Sequence, residues 1–268
     1  MTSSEEMMAQ IMCQNYRHSY LREVAKLLPL KDSLVLDAGC GVGTLTSLIN
    51  QHASSANVIG LDFSMHMLTH QVREIAEEKV LIVQACMPRF PFKPDSFNAI
   101  VAVQSLSEVL CFAGEEVFLT TIEEINSLLC EGGVFVVLDH QSPGSKSIEA
   151  KFTKQLIQQL ERFQKLYEYR PFAFNILDGG WVQISMRDLY EFITKIWSFD
   201  SPLQKEEMQE THTPYTGMEF SSILEDYGFT IDSVSGAVPF ESYLRRYRVR
   251  IRPKQNLPER FFIVRASK

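Results

Sequence analysis

The chain has 268 residues, 45% hydrophobic and 22% charged, a balance that excludes compositional disorder and is long enough to bury a substantial core. Its net charge of −7 argues against nucleic acid or an anionic membrane as partner of the chain as a whole. No apolar run reaches bilayer length and the first residues lack the basic start of a signal peptide, so the expected location is cytoplasmic. The five cysteines are dispersed without zinc-ligand spacing, which points to reduced thiols and suggests no metal site.

In chain order, residues 14–28 read as a helix with Tyr16, Tyr20, Val24, Leu27 and Leu28 near one face. Strand-like and helix-like segments then alternate. Strands are expected at Ser33–Ala38, Asn57–Asp62, Val80–Ala85, Asn98–Gln104 and Val134–Asp139. Helices are expected at Thr44–His52, from a Ser64 cap to about Glu77, and at Glu115–Leu129, the last closed by Gly132-Gly133. Strands apolar on both faces imply a parallel sheet covered by helices on both sides, a doubly wound Rossmann-like α/β architecture. Ligands of such sheets gather at the carboxyl ends of the strands.

After His140 the pattern changes. Ser145–Tyr169 reads as one long helix and Ser185–Ile196 as another, capped by Ser185. Thr216-Gly-Met-Glu219 resembles a capping box for a helix ending near Gly228. Strands are expected near Thr230–Val234, Leu244–Ile251 and Arg260–Ala266. The chain therefore reads as one domain: a cofactor-binding core over 1–140, a helical lid insertion over 141–215, and 216–268 completing a seven-stranded, mostly parallel sheet.

The chemistry centres on Val35-Leu36-Asp37-Ala38-Gly39-Cys40-Gly41-Val42-Gly43-Thr44. Glycines after a strand permit a tight turn and close backbone approach to a ligand. A dinucleotide fingerprint is G-x-G-x-x-G; here the spacing is G-x-G-x-G, preceded by Asp37. A carboxylate there repels a pyrophosphate and suits a cationic ligand bearing an ammonium or sulfonium. Asp62, ending the next strand, is placed to accept hydrogen bonds from ribose hydroxyls. Phe63 and Met67 are suited to pack on an adenine face. Read singly, Asp37 also fits a turn and Asp62 a helix cap; read together, they favour the cofactor. Gln104, ending the fourth strand, is a further cofactor contact.

With these pieces in place, the sequence resembles the class I S-adenosylmethionine methyltransferases, in particular the type 11 group. The matching segments are Leu36–Gly43, Gly60–Ser64, Phe90–Asn98 and Leu129–Gly133, and more loosely Leu224–Phe229. The resemblance implies S-adenosylmethionine as cofactor, with the methionine part on the glycine loop (Asp37, Ala38, Gly39, Gly41) and the ribose on Asp62. It implies adenine near Phe63, Met67, Cys86 and Met87, and adds Tyr16 and Gln104 to the cofactor set. Cys86 departs from the pattern, which often carries Asp there, and a thiol is a poor acceptor.

For the acceptor side, His140 and the Thr211-His212-Thr213-Pro214-Tyr215 cluster offer His140, His212 and Tyr215 as catalytic candidates. Residues 242–268 hold nine Lys/Arg and one acid, and alternation places Arg246, Arg248, Arg250 and Arg252 on one strand face. That face reads either as an anion site, including RNA phosphates, or as a charged edge strand. The leading expectation is a methyltransferase for a small-molecule acceptor. The alternatives are an RNA or protein methyltransferase and a non-catalytic cofactor-binding protein.

Overall fold

A computed structural model describes residues 19–52, 55–74 and 80–268. The chain divides into two compact units, one of residues 1–139, 217–235 and 262–268, the other of residues 140–216 and 236–261.

The first unit follows the alternation expected of it. Helix α1 is Ser19–Lys26, β1 Leu34–Ala38, α2 Thr44–His52, β2 Asn57–Asp62, α3 Met65–Glu74, β3 Val80–Gln84 and β4 Phe97–Val103. Two helices, α4 Leu106–Ala113 and α5 Glu115–Leu128, lead to β5 Leu129–His140; α9 Gly217–Asp226, β9 Thr230–Pro239 and β11 Glu259–Ser267 complete the sheet. The seven strands run in the order β3-β2-β1-β4-β5-β11-β9. Strands β3, β2, β1, β4 and β5 are all parallel to their neighbours, with Asp37 beside Gly60 on one side and Val101 on the other. Val35, Leu36, Ala99, Ile100, Phe135 and Val136 are fully enclosed, as a sheet covered on both faces requires. Strand order reverses between β1 and β4, which opens a crevice at their carboxyl ends.

Two local expectations change here. Helix α4 was not foreseen. Its start is held by Asp139, whose Oδ2 accepts the Ser107 N–H at 3.0 Å, a contact 32 residues away in sequence. Gly132 and Gly133 do not close α5. The helix stops at Leu128, Leu129 is already extended, and both glycines lie inside β5.

The second unit has its own sheet. Strands β6 Ser147–Lys151, β7 Phe174–Ile176, β8 Trp181–Ser185 and β10 Arg250–Arg252 form it in the antiparallel order β10-β6-β8-β7. Helices α6 Lys154–Leu166, α7 Met186–Lys195, α8 Gln204–Gln209 and α10 Glu241–Arg246 belong to it. Its core joins Ile148, Leu160, Phe163, Val182, Phe192 and Phe240.

The single helix expected over Ser145–Tyr169 is thus a strand followed by a helix. Ile148, Ala150 and Phe152 alternate into the core, and Thr153 then starts α6 by accepting the Leu156 N–H. The segment 141–215 is mixed α/β rather than helical. Ser185 does cap α7, accepting from the Asp188 N–H.

The strand expected at Leu244–Ile251 is also corrected. Leu244–Arg246 end α10, Arg248 sits at φ 56°, and only Arg250–Arg252 pair as a strand. Arg246, Arg248, Arg250 and Arg252 therefore do not share one strand face. Arg252 ion-pairs with Glu149 of the neighbouring β6, and its guanidinium lies 3.9 Å from the centre of the Trp181 ring. The charged-edge reading of this segment is the one the pairing matches.

Candidate cofactor site and the buried histidine pair

The glycine loop leaves β1 with three left-handed glycines, Gly39 at φ 78°, Gly41 at 54° and Gly43 at 79°. Its amides turn onto β2. The N–H groups of Gly39 and Cys40 both donate to the Leu61 carbonyl, at 2.8 and 2.9 Å. The Gly41 N–H donates to Asp62 Oδ2 at 2.9 Å. These three donors are engaged internally and do not form a phosphate cradle. The physical basis of a dinucleotide site is therefore missing, in line with the G-x-G-x-G spacing.

Asp62 is 8% exposed and accepts a second amide, that of Ser64, on Oδ1 at 2.9 Å. Burial raises the Asp62 pKa, while the Ser64, Gly41 and Phe63 amides pull it back. Asp37 is enclosed, accepts the Thr46 hydroxyl at 2.6 Å, and is pushed up to about 7 by burial and by the charge of Asp62. A small cleft of about 30 Å³ opens here, lined by Leu21, Asp37, Gly39, Cys40, Thr44 and Val103 among others.

Around it, Phe63 is 61% exposed although it directly follows a buried strand, an arrangement that leaves an aromatic face available. Its carbonyl is fixed by the Gln84 side chain at 3.1 Å. Met67 is half-buried on α3, and its N–H reaches Ser64 Oγ at 3.4 Å. Met87 flanks Gly39, and Cys86 is exposed, its thiol donating to the Met87 carbonyl at 3.3 Å. Gln104 directly follows β4 at φ 54°, with its N–H on the Leu138 carbonyl at 2.8 Å. A non-glycine residue at such an angle marks a constrained turn beside the crevice. Asp37, Ala38, Gly39, Gly41 and Asp62 thus lie together at the ends of β1 and β2, with Phe63, Cys86, Met87 and Gln104 just beyond adjoining strand ends and Met67 on α3. Tyr16 lies outside the described residues.

Two residues of this site were not anticipated. Thr46 holds the Asp37 carboxyl from the first turn of α2. Ser105 is buried, and its hydroxyl donates to the Ala38 carbonyl at 2.8 Å, tying the loop after β4 to the loop after β1. The approach is so close that a Cβ on Gly39 would lie 2.4 Å from Ser105 Cβ. Gly39→Ala therefore combines an unfavourable φ with a clash, and a loss of roughly 2–5 kcal/mol in unfolding free energy is expected by urea denaturation. A loss under about 1 kcal/mol would show that the loop shifts freely.

The catalytic candidates lie in the second unit, which brings them together. The His140 and His212 rings stack with centroids 4.3 Å apart. Tyr215 is half-buried and its backbone lies alongside this pair, its carbonyl accepting the Ser142 N–H at 2.7 Å. Both imidazoles are held well below the usual range, by burial first and then by the neighbouring Arg260 and Lys195 charges, so both are neutral at pH 7. His212 is bonded at both nitrogens, Nδ1 to Thr194 Oγ1 at 3.0 Å and Nε2 to Glu210 Oε1 at 2.9 Å.

Residues 35–133 match the family described as "Methyltransferase domain". An uncharacterized chloroplastic methyltransferase of Arabidopsis thaliana is 31% identical over 151 residues, which is 53% of this chain and 40% of that protein. A demethylmenaquinone methyltransferase of Staphylococcus saprophyticus is 28% identical over 128 residues, 47% of this chain and 52% of that protein. The chain thus spans about half or less of the length of these curated relatives. Among solved structures, the Burkholderia thailandensis 1,6-didemethyltoxoflavin-N1-methyltransferase, with 1,6-didemethyltoxoflavin and S-adenosylhomocysteine bound, superposes with a TM-score of 0.55 at 14% identity. That superposition covers 98% of this chain and 86% of the other, and at that identity it speaks to the fold. No described helix is long and apolar enough to cross a membrane. The glycine loop, the acid ending β2 and the strand order agree with the match of residues 35–133 to a methyltransferase domain.

Proposed function

We propose that the chain is an S-adenosylmethionine-dependent methyltransferase acting on a small-molecule acceptor. The observation that carries this reading is the loop whose amides are engaged by β2 and by the buried Asp62, with the buried Asp37 lining the cleft beside it. That donor set suits a ligand with a cationic end and a neutral ribose. When bound, S-adenosylmethionine supplies an electrophilic methyl group on a sulfonium.

The chain's own residues then have separable tasks. Asp62 offers its carboxylate to the ribose hydroxyls. Asp37 favours positive charge at the mouth of β1. Phe63 and Met67 offer apolar surface to the adenine, with Cys86, Met87 and Gln104 at its edge. Tyr16 belongs to the same assignment. We assign acceptor recognition to the second unit, which enters the chain directly after β5. There His140 is the first candidate for accepting a proton from the acceptor; His212 and Tyr215 follow.

The negative net charge and the small-molecule reactions named for the Staphylococcus and Burkholderia proteins support a metabolite acceptor. A nucleic-acid reading loses its main support with the dispersal of the four arginines. The test is transfer of labelled methyl from S-adenosylmethionine into fractionated metabolite extract by the full-length protein. Label in a low-mass fraction is expected. Label confined to RNA or protein would overturn the acceptor class.

A further inference from the structure

The second unit contains a buried polar cluster around α7 and α8 of which the methyl-transfer reading uses only His212. We propose that Glu207 Oε2, Glu210 Oε1 and His212 Nε2 form a binding site for a zinc-class divalent cation. The three ligand atoms lie within 4.8 Å of one another. Cysteine spacing offers no cue to such a site, because its ligands are two carboxylates and one imidazole in the spacing E-x-x-E-x-H.

The orientation of His212 carries the first part: Nδ1 is held by Thr194 Oγ1 at 3.0 Å, which turns Nε2 towards two carboxylate oxygens, Glu210 Oε1 at 2.9 Å and Glu207 Oε2 at 3.6 Å. Ligands of a tetrahedral zinc site are roughly 3.4 Å apart when each is about 2.1 Å from the ion. The two separations bracket that value. An imidazole held at Nδ1 by an outer oxygen is also how metal-binding histidines are usually oriented.

The second, independent observation is Glu207. Its residue is 5% exposed, yet Oε2 has no hydrogen-bond partner. The nearby donors are engaged elsewhere. Glu191 takes the Thr211 and Thr213 hydroxyls and the His212 N–H. Lys195 directs hydrogens to the Glu207 and Glu210 carbonyls, leaving its Nζ 3.8 Å from Glu210 Oε1. Arg260 donates to the His212 carbonyl at 3.2 Å. Glu210 is half-buried, and a water would complete the set as fourth ligand. An imidazole with two carboxylates favours Zn²⁺ over Mg²⁺, which prefers oxygen ligands in an octahedron. Bound there, the ion would pin α8 to the segment 210–213.

The test uses the full-length protein, stripped with a chelator and titrated with Zn²⁺ against a chromophoric competitor. One equivalent is expected to bind, and Co²⁺ in its place is expected to give the visible absorption of a low-coordinate nitrogen–oxygen site. Glu207→Gln keeps the side-chain shape and removes the buried charge, so it is expected to fold and to bind at least about 10-fold more weakly. His212→Gln is expected to do the same and to lose the Co²⁺ bands. Glu149→Gln, on β6, is expected to bind as the wild type does. Failure of the wild type to bind one equivalent would overturn the proposal, and so would unchanged affinity in Glu207→Gln. In either case the three groups share a proton instead of a metal.

Discussion

Asp62→Ala is expected to weaken S-adenosylmethionine binding by roughly 100- to 10,000-fold, the largest functional effect of any single substitution in the first unit. Two hydrogen bonds from ribose hydroxyls to a carboxylate are lost, at about 1.5–3 kcal/mol each. The loss is compounded within the protein. Asp62 also holds the Gly41 and Ser64 amides, so its removal frees the glycine loop and the first turn of α3 together. Asp62→Asn keeps one acceptor oxygen and is expected to fall between wild type and alanine. Calorimetric titration reads all three proteins. An alanine variant binding within about threefold of wild type would remove Asp62 from the cofactor site.

Asp37→Asn is expected to separate stability from binding. The Asp37 pKa is raised from 3.8 to about 7, chiefly by burial, with Asp62 adding and Thr46 opposing. A raised carboxyl binds its proton more tightly folded than unfolded. The stability this proton contributes is complete below pH 3.8 and is lost as pH rises towards 7. Above that the folded protein carries a constant cost, roughly 4 kcal/mol from the size of the shift. Asparagine cannot ionise and still accepts the Thr46 hydroxyl. Without cofactor, the variant should gain on the wild type by up to about 4 kcal/mol at pH 8, and much less at pH 4, by urea denaturation. Its cofactor binding should weaken at pH 8, where a cationic ligand has lost its counter-charge. Wild-type affinity should rise from pH 6 to 8 and the variant's stay flat. Parallel stability curves for the two proteins would show that Asp37 is already ionised in the free protein.

Much of the first unit was legible because its signals are local. The bounds of α2 and β2 follow directly from Thr44–His52 and Asn57–Asp62, where apolar runs meet glycines, turns or caps. The cofactor residues were legible for a related reason: strand ends, glycines and acids lie within a few residues of one another. Thr46 and Ser105 were not, because their roles depend on a rotamer and on a contact spanning 67 residues.

The second unit was harder to read. The helical period of 154–166 invites extension backwards over Ser147–Lys151, but that segment pairs with strands at 181–185 and 250–252. Such pairing is non-local and leaves only a short alternation in sequence. The arginine run misled for the opposite reason. Its alternation was regular, but α10 and the left-handed Arg248 interrupt it. The glutamates of the proposed metal site are spread over a short helix and the segment following it. Only the fold turns Glu207, Glu210 and His212 towards a common point.

The central claim is that the cleft at the ends of β1 and β2 binds S-adenosylmethionine through Asp62 with Asp37 ionised. Calorimetric titration of the full-length protein with S-adenosylmethionine at pH 6 and pH 8, in two buffers of different ionisation enthalpy, tests it most directly. One-to-one binding is predicted, tighter at pH 8 and accompanied by proton release near pH 6.5. No detectable heat at either pH, or binding without proton release, would contradict it.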